Sequence, residues 1–158
     1  EEQISHKKAV YERYKAGLTD LPVRRNPIVE GTEPNYWLSS LIIDESAMCK
    51  QVRGETDVCY MPEHGKTCPT EILESISSIN AEGRPIWKPM HMQPIYRMNG
   101  FVTKDGNGRG RSNAYIAGEK ASEVGADSCD RGLCLPGDNK MTVEQVDAGC
   151  EIVRRCFE

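Results

Sequence analysis

Residues 36–43 (YWLSSLII) give the strongest strand signal in the sequence, because they are apolar almost throughout and end at the acidic Asp44. A short apolar run of this kind is typical of a strand that is buried on both faces. Two further short strands are predicted, at residues 84–87 (RPIW) and at residues 132–136 (GLCLP). Three short strands cannot make a large doubly wound sheet, so the sequence predicts a small one.

Helical patterns alternate with these strands. Apolar residues recur at helical spacings over residues 4–18, which predicts a first helix. Pro69 opens a second helix, at the position where its missing N–H costs little. Thr142 and Gln145 form a capping box that opens the last helix, and residues 113–124 are predicted as a weaker one. The predicted fold class is therefore α/β (α+β), with a small, mostly antiparallel or mixed sheet of three to four strands and helices packed against it.

The composition bounds the class of protein. The chain has 158 residues, which suits one domain, and a formal net charge of −4. A mildly acidic chain lacks the basic face that a general nucleic-acid binder needs, and no apolar run approaches the ~20 residues of a membrane-spanning helix. We therefore expect neither nucleic acid nor a membrane as a partner. Leu, Ile, Val and Phe make up only about a fifth of the residues, which indicates a thin core.

The cysteines indicate the compartment. There are seven, none in a Cys-x-x-Cys pair, and the first residues carry no secretion signal. An odd number of cysteines without such a signal favours free thiols in a reducing cytosol, so a cytoplasmic protein is expected. Cys59, His64 and Cys68 come nearest to a metal-ligand cluster, but their spacing is not that of a zinc site, and no metal site is predicted.

Two polar stretches are predicted as loop insertions in a single domain that covers residues 1–158. Residues 45–68 contain several turn-forming residues, and residues 99–113 are rich in glycine. The run GNG at residues 106–108 matches neither the P-loop nor the GxGxxG pattern. A mobile surface loop is therefore favoured over a phosphate-binding loop.

Residues 84–94 (RPIWKPMHMQP) are the most unusual stretch of the chain. Three prolines limit the conformational freedom that a binding loop loses when it engages a ligand. Lys88 and His91 could hydrogen-bond phosphate or sugar hydroxyls, and Trp87 could stack on a base or a sugar ring. In the alternative interpretation, Trp87 fills the edge of a thin core while Lys88 and His91 are solvated, and the composition does not decide between the two.

No other residues assemble a complete catalytic set, and no catalytic residue is predicted. Cys134 lacks a motif that links it to a base, and the pair Ser39-Ser40 lacks a Gly-x-Ser-x-Gly frame. Acidic residues at the ends of elements are usually solvated or cap helices. These weaker candidates are Cys134, Ser39-Ser40, Asp44-Glu45 and the pair Asp127 and Asp130.

Four segments in order resemble the C-terminal domain of nucleotide-sugar aminotransferases of the DegT/StrS type. Residues 35–44 (NYWLSSLIID) are similar to the family's N-x-W-L-x-x-x-x-I-D strand, and residues 84–94 to its ARPxWKPMHxQP segment. Residues 131–136 (RGLCLP) and the final helix match its ending. These enzymes depend on pyridoxal phosphate and have the type I aminotransferase fold. The resemblance spans nearly the whole chain, and four motifs in register are far more specific than any one of them.

The resemblance implies a function for a longer parent protein. The parent would move an amino group from glutamate to a 4-keto (or 3-keto) sugar on a nucleoside diphosphate, most readily a UDP-linked sugar, for surface polysaccharide or glycan biosynthesis. Pyridoxal phosphate acts there as an electron sink bound to a lysine. None of the nine lysines of this chain lies in the serine- and glycine-containing context of that lysine, and the resemblance implies that the N-terminal cofactor domain lies outside the matched region. The chain alone is therefore expected to bind no cofactor and to be inactive.

The resemblance also implies the site residues and the protein partners. Trp87, Lys88, Met90 and His91 would line the nucleotide-sugar site, and Arg84 would either join them or orient its strand. The chain would pack against its own cofactor domain and against a second subunit of a homodimer. The loss of that interface is expected to expose Tyr11, Tyr14 and Leu18. We therefore predict that the isolated chain self-associates or is only marginally stable.

Two other functions stay open. The chain could be a non-catalytic binding or regulatory module that reuses the fold. It could also be the same domain of a sugar dehydratase, since the dehydratase relatives replace the catalytic lysine with histidine and keep a similar C-terminal domain.

Overall fold

The computed structural model of the chain describes residues 1–53, 58–96 and 124–158. Within these ranges the helices are α1 (Glu2–Gly17), α2 (Pro69–Ser78), α3 (Val124–Arg131) and α4 (Val143–Arg155). The strands are β1 (Val23–Arg25), β2 (Ser39–Ile43), β3 (Lys50–Arg53), β4 (Val58–Met61), β5 (Arg84–Pro85) and β6 (Gly132–Leu135). None of the described helices is long and apolar enough to cross a membrane.

The main sheet has the strand order β1-β2-β6-β5, and each neighbouring pair is antiparallel. At its centre Ser39 lies opposite Leu135 and Leu41 lies opposite Leu133, so the two most apolar stretches of the sequence pair with each other. Strands β3 and β4 form a separate antiparallel pair. The predicted fold class is confirmed as a small antiparallel sheet with helices packed against it.

One face of the main sheet carries the core. Leu41 and Ile43 of β2 and Leu133 and Leu135 of β6 are almost completely buried there, because residues two apart on a strand point to the same face. Helices α1, α2 and α4 contribute to the same apolar cluster, with Val10, Tyr14, Leu18, Ile72, Ile76, Val146, Cys150 and Val153. These three helices therefore complete the core that the short strands begin.

The opposite face of the main sheet is covered at Gly132. A Cβ atom placed on Gly132 would lie 2.4 Å from the carbonyl oxygen of Ser128 in α3 and 2.6 and 2.7 Å from side-chain carbons of Ile42 and Ile86. Only glycine allows β6 and α3 to approach so closely. Ser40, which also faces this side from β2, is half-buried, so the prediction of a strand fully buried on both faces was correct for one face only.

Charged side chains tie α1 to α4. Arg13 donates hydrogen bonds of 2.7 and 2.6 Å to the two carboxylate oxygens of Asp147. Arg154 donates bonds of 3.0 and 2.8 Å to the carbonyl oxygen of Gly17, the last residue of α1. The guanidinium thereby satisfies a carbonyl that the end of a helix leaves without an intrahelical partner.

The prediction that Tyr11, Tyr14 and Leu18 are exposed was wrong. Their exposed fractions are 5%, 1% and 0%. Tyr14 packs against α4, where a Cβ atom on Gly149 would lie 3.0 Å from its hydroxyl oxygen, and the Tyr11 hydroxyl donates a 3.0 Å hydrogen bond to the carbonyl oxygen of Asn26. These side chains are therefore buried within the chain itself, with Tyr14 covered by α4, and no other domain is needed to bury them.

Several boundaries differ from those predicted. The strand predicted over residues 36–43 begins at Ser39, and the region 45–68, predicted as a loop, contains the paired strands β3 and β4. Strand β1 and helix α3 were not predicted. Residues 99–113 and all but the last residue of the helix predicted over residues 113–124 lie outside the described residues.

Candidate functional site

The segment that follows β5 forms a compact loop. Residues Met90–Met92 form one turn of 3₁₀ helix, and the Gln93 side-chain amide donates a 3.1 Å hydrogen bond to the carbonyl oxygen of Lys88. The side chain of Met92 is only 7% exposed, so it anchors the loop in the interior. A loop that is fixed before a ligand arrives loses less conformational entropy on binding.

Trp87 lies at the surface beside a second tryptophan. Its exposed fraction is 61%, and its ring centroid lies 6.4 Å from that of Trp37, with the two planes at 38°. Trp37 precedes β2 and is 66% exposed. Trp87 was predicted as a site residue and Trp37 was not, although the N-x-W-L motif contains Trp37.

Lys88 faces a different part of the fold from Trp87. It lines a cavity of about 470 Å³ together with residues of β4, α2 and β5, namely Val58, Thr70, Leu73, Glu74, Ser77 and Pro85. Trp87, Met90 and His91 are not among the lining residues. The structure therefore brings Lys88 to α2 and Trp87 to Trp37, and the candidate residues form two adjacent patches rather than one pocket.

A tyrosine donates a hydrogen bond to the acidic residue of this cavity. The Tyr60 hydroxyl donates a 3.0 Å hydrogen bond to a carboxylate oxygen of Glu74. Burial, followed by the hydrogen bond to Glu74, raises the pKa of Tyr60 to about 12. Tyr60 therefore keeps its hydroxyl proton at neutral pH and acts as the hydrogen-bond donor to Glu74.

The remaining three candidates lie at or near the surface. Met90 is 64% exposed and His91 is half-buried on the same 3₁₀ turn. Arg84, the first residue of β5, is exposed and forms a 2.6 Å ion pair with Glu82. Arg84 is thus held against its own chain at the start of the strand, and its role in binding stays a prediction.

The weaker catalytic candidates have structural environments. Burial raises the pKa of the Cys134 thiol, which keeps it in the protonated, unreactive form. The side chains of Asp44 and Asp127 pair with Arg24 and Arg131, and Ser39 is buried in β2. Residues 106–108 lie outside the described residues. Across the described ranges, no three His, Cys, Asp or Glu side chains are placed to bind a metal ion.

The lysines of the described ranges do not fit a cofactor site. A lysine that binds pyridoxal phosphate needs a lowered pKa, which burial beside apolar or cationic groups provides. None of the lysines that the structure describes is buried. Lys66 forms a 2.6 Å ion pair with Glu63, Lys15 forms a 3.5 Å ion pair with Glu12, and Lys7 donates a hydrogen bond to the carbonyl oxygen of Gly137.

Comparison with known proteins gives both sequence and structural relatives. No protein-family model matches the chain. The chain is 25% identical over 158 residues to EpsN of Bacillus subtilis (strain 168), named as a putative pyridoxal phosphate-dependent aminotransferase, and the match covers 99% of the chain and 32% of EpsN.

Solved structures share the fold. A DegT DnrJ EryC1 StrS aminotransferase from Brucella abortus matches with a TM-score of 0.60 at 15% identity, over 98% of this chain and 31% of that one. DesI, solved in the presence of its TDP-sugar product, matches with a TM-score of 0.62 at 16% identity, over 97% of this chain and 31% of that one. The resemblance that the motifs indicate is thereby confirmed, and the chain spans about a third of the length of these relatives.

Proposed function

We propose that this chain is the substrate-side domain of a pyridoxal phosphate-dependent sugar aminotransferase. The whole protein transfers an amino group from glutamate to a keto group of a sugar carried on a nucleoside diphosphate, most readily a UDP-linked 4-keto sugar, for the synthesis of surface polysaccharide or glycan. The observation that carries the proposal is the similarity to EpsN over 99% of the chain. The fold shared with DesI, whose product is a TDP-sugar, supports a nucleotide sugar as the substrate class.

The cofactor supplies an electron sink for the carbon that exchanges its amino group. None of the lysines that the structure describes is buried, so we assign the cofactor to a domain beyond the described residues. In this proposal the chain contributes substrate binding and exclusion of water. It packs against that cofactor-binding part and against a second subunit of a cytoplasmic homodimer, and on its own it does not catalyse amination.

The loop after β5 offers the groups that a nucleotide sugar requires. The ammonium group of Lys88 and the imidazole of His91 are hydrogen-bond donors for phosphate oxygens or sugar hydroxyls. Trp87 and Met90 present apolar surface for a ring, and both are more than half exposed. The Gln93 bond to the Lys88 carbonyl oxygen holds the donors on one short, fixed segment. We assign binding to Trp87, Lys88, Met90 and His91, and the placement of β5 to Arg84.

Amination by the full-length protein tests this function. The protein should be supplied with pyridoxal phosphate, glutamate and either UDP- or TDP-linked 4-keto sugars, and the amino sugar measured by mass spectrometry. We expect glutamate-dependent amination together with the absorbance of bound cofactor. Bound cofactor with dehydration of the sugar instead would support the dehydratase alternative, and a protein that neither binds the cofactor nor aminates any keto-sugar nucleotide would support the non-catalytic module.

The donors of the loop can be tested in the same enzyme. Lys88→Ala and His91→Ala should each lower kcat/KM for the nucleotide sugar by about tenfold or more, since each removes a hydrogen bond to a charged group. Lys140→Ala, which removes an exposed lysine far along the chain, is the matched control and should leave kcat/KM unchanged. Unchanged kinetics in both loop variants would remove Lys88 and His91 from the site.

A further inference from the structure

We propose that Trp37 joins Trp87 as a stacking surface for the nucleobase of the nucleoside diphosphate, which makes Trp37 a further substrate-binding residue. This inference rests on the proposed function, because it assigns a part of the same substrate to a surface next to the loop after β5. The two tryptophans come from segments about fifty residues apart in the sequence, one before β2 and the other after β5. Only the fold places them together.

The first reason is the exposure of both rings. Trp37 and Trp87 are 66% and 61% exposed although their ring centroids are 6.4 Å apart. A tryptophan pair buried for stability would be covered by the core, as Tyr14 is with its exposed fraction of 1%. Two adjacent indoles that keep most of their surface in water offer aromatic faces to a ligand.

The second reason is the backbone that holds Trp37. Its neighbour Tyr36 has φ = 53°, a left-handed conformation that is uncommon for a bulky residue. The Tyr36 ring packs 5.4 Å from that of Tyr11, with the Lys8 ammonium 6.0 Å from its centroid. Tyr36 is thereby fixed to α1, and the chain continues in a direction that puts Trp37 against Trp87. Unfavourable backbone conformations persist where the surrounding structure holds them in place, and they are frequent at ligand sites.

A side-chain amide also holds the backbone of Trp37. The Trp37 N–H donates a 3.0 Å hydrogen bond to the side-chain oxygen of Asn35. This bond is local, and it does not depend on the indole. The ring of Trp37 can therefore be replaced without removing the contacts that shape the backbone around it.

The third reason is the chemistry next to the pair. A nucleotide presents a planar aromatic base and an anionic diphosphate, and stacking of a base on an aromatic side chain contributes about 1–3 kcal/mol. His91 lies on the 3₁₀ turn that follows Trp87, and Lys88 lines the neighbouring patch against α2, so donors for the diphosphate flank the ring of Trp87. The 38° angle between the two planes lets a base stack on one indole while its edge contacts the other.

A binding measurement on the full-length protein separates the base from the sugar. Isothermal titration with UDP and with TDP measures binding that includes the base, and titration with glucose 1-phosphate measures binding without it. Trp37→Ala should weaken the tighter of the two nucleotides by about tenfold, a loss of about 1.4 kcal/mol, and should leave the affinity for glucose 1-phosphate unchanged. Trp37→Phe, which keeps an aromatic face, should retain most of the affinity.

Two controls guard against trivial effects. Val29→Ala removes a side chain from the same connecting segment with nearly the same exposed fraction, 65%, and should not change nucleotide affinity. Trp37→Leu keeps apolar bulk without the aromatic face, and it replaces Trp37→Ala if that variant does not fold. Trp37→Leu should weaken the nucleotide as Trp37→Ala does.

The inference is overturned by any of three results. The first is a wild-type protein that binds neither UDP nor TDP, and the second is an equal loss for the nucleotide and for glucose 1-phosphate, which would assign the pair to the sugar. The third is unchanged nucleotide affinity in Trp37→Leu. If the oligomeric state of that variant also shifts, the tryptophan pair belongs to a protein interface. A full-length protein that binds UDP through Trp37 and aminates no keto sugar would support the inference while the proposed function fails.

Discussion

The helix pair α1–α4 and the loop after β5 use similar side chains for opposite purposes. In the helix pair the aromatic Tyr14 is 1% exposed, whereas in the loop Trp87 is 61% exposed. In the helix pair Arg13 forms two short bonds across the interface to Asp147, whereas the loop fixes its own backbone and presents side chains to solvent. The helix pair thus contributes to the packed core, whereas the loop after β5 is an aromatic and basic segment at the surface. Stability and binding should therefore respond to different substitutions.

The largest effect should come from the core. Leu133→Ala, at a position with an exposed fraction of 0%, should lower the free energy of unfolding by about 3 kcal/mol, since it removes buried carbons and leaves a cavity beside Leu41. Ile95→Ala, beside the loop and 81% exposed, is the matched control and should change it by less than about 0.5 kcal/mol. Urea unfolding of the 158-residue chain measures both. Similar losses in the two variants would break the distinction between a closed core and an open loop.

A smaller effect should come from the Arg131–Asp127 ion pair within α3, whose arginine also donates a hydrogen bond to the main sheet. The side chain of Arg131 is 11% exposed, donates a 2.6 Å bond to the carbonyl oxygen of Ile43, and pairs with Asp127. The hydrogen bond from Arg131 holds the pKa of Asp127 below its usual range. Asp127→Asn should therefore cost about 1.5 kcal/mol at pH 7, because a largely buried guanidinium loses its charged partner.

The pH dependence of this pair has a defined sign. The folded-state pKa of Asp127 is lower than the unfolded one, which is about 3.9. The pair therefore stabilises the fold at pH values above that range and loses its contribution as the pH falls through the folded-state pKa. The difference between wild type and Asp127→Asn in urea unfolding should shrink between pH 7 and pH 2.5. A difference that stays constant with pH would show that the carboxylate charge does not matter.

The smallest effect should come from the capping box of α4. The Gln145 N–H donates a 3.3 Å hydrogen bond to the Thr142 side-chain oxygen, and the Thr142 N–H donates a 2.9 Å bond to the Gln145 side chain. Thr142→Ala should cost about 1 kcal/mol in thermal or urea unfolding, whereas Thr142→Ser keeps the acceptor and should cost much less. If the two variants unfold alike, the cap does not stabilise α4 and thus not the helix pair.

Local chemistry predicted those elements that depend on it. Thr142 and Gln145 form the capping box at the predicted place, and Pro69 is the first residue of α2 as its missing N–H suggests. The central strands β2 and β6 were recognised because their side chains are apolar in a short run. Strands β1, β3 and β4 carry no comparable apolar run. β3 and β4 pair with each other in a stretch whose turn-forming residues favoured a loop, and β1 is recognisable only from its pairing with β2.

The candidate site shows the same division. The loop after β5 was recognisable from its unusual composition, but its division into a Lys88 patch and a Trp87 patch depends on the contacts of the fold. Trp37 was missed because the apolar run suggested a strand from residue 36, whereas the left-handed Tyr36 turns the chain before β2 begins. The burial of Tyr14 was missed because helical spacing shows that a face is apolar and does not show what covers it.

Hydrogen–deuterium exchange of the full-length protein, with and without UDP, most directly tests the claim that binding belongs to the loop and stability to the helix pair. We expect slower exchange on binding in peptides that cover residues 84–93 and in those that contain Trp37. We expect little change in the peptides of α1 and α4, whose protection is already set by the core. Protection by UDP that falls on α1 and α4 and spares residues 84–93 would contradict that claim.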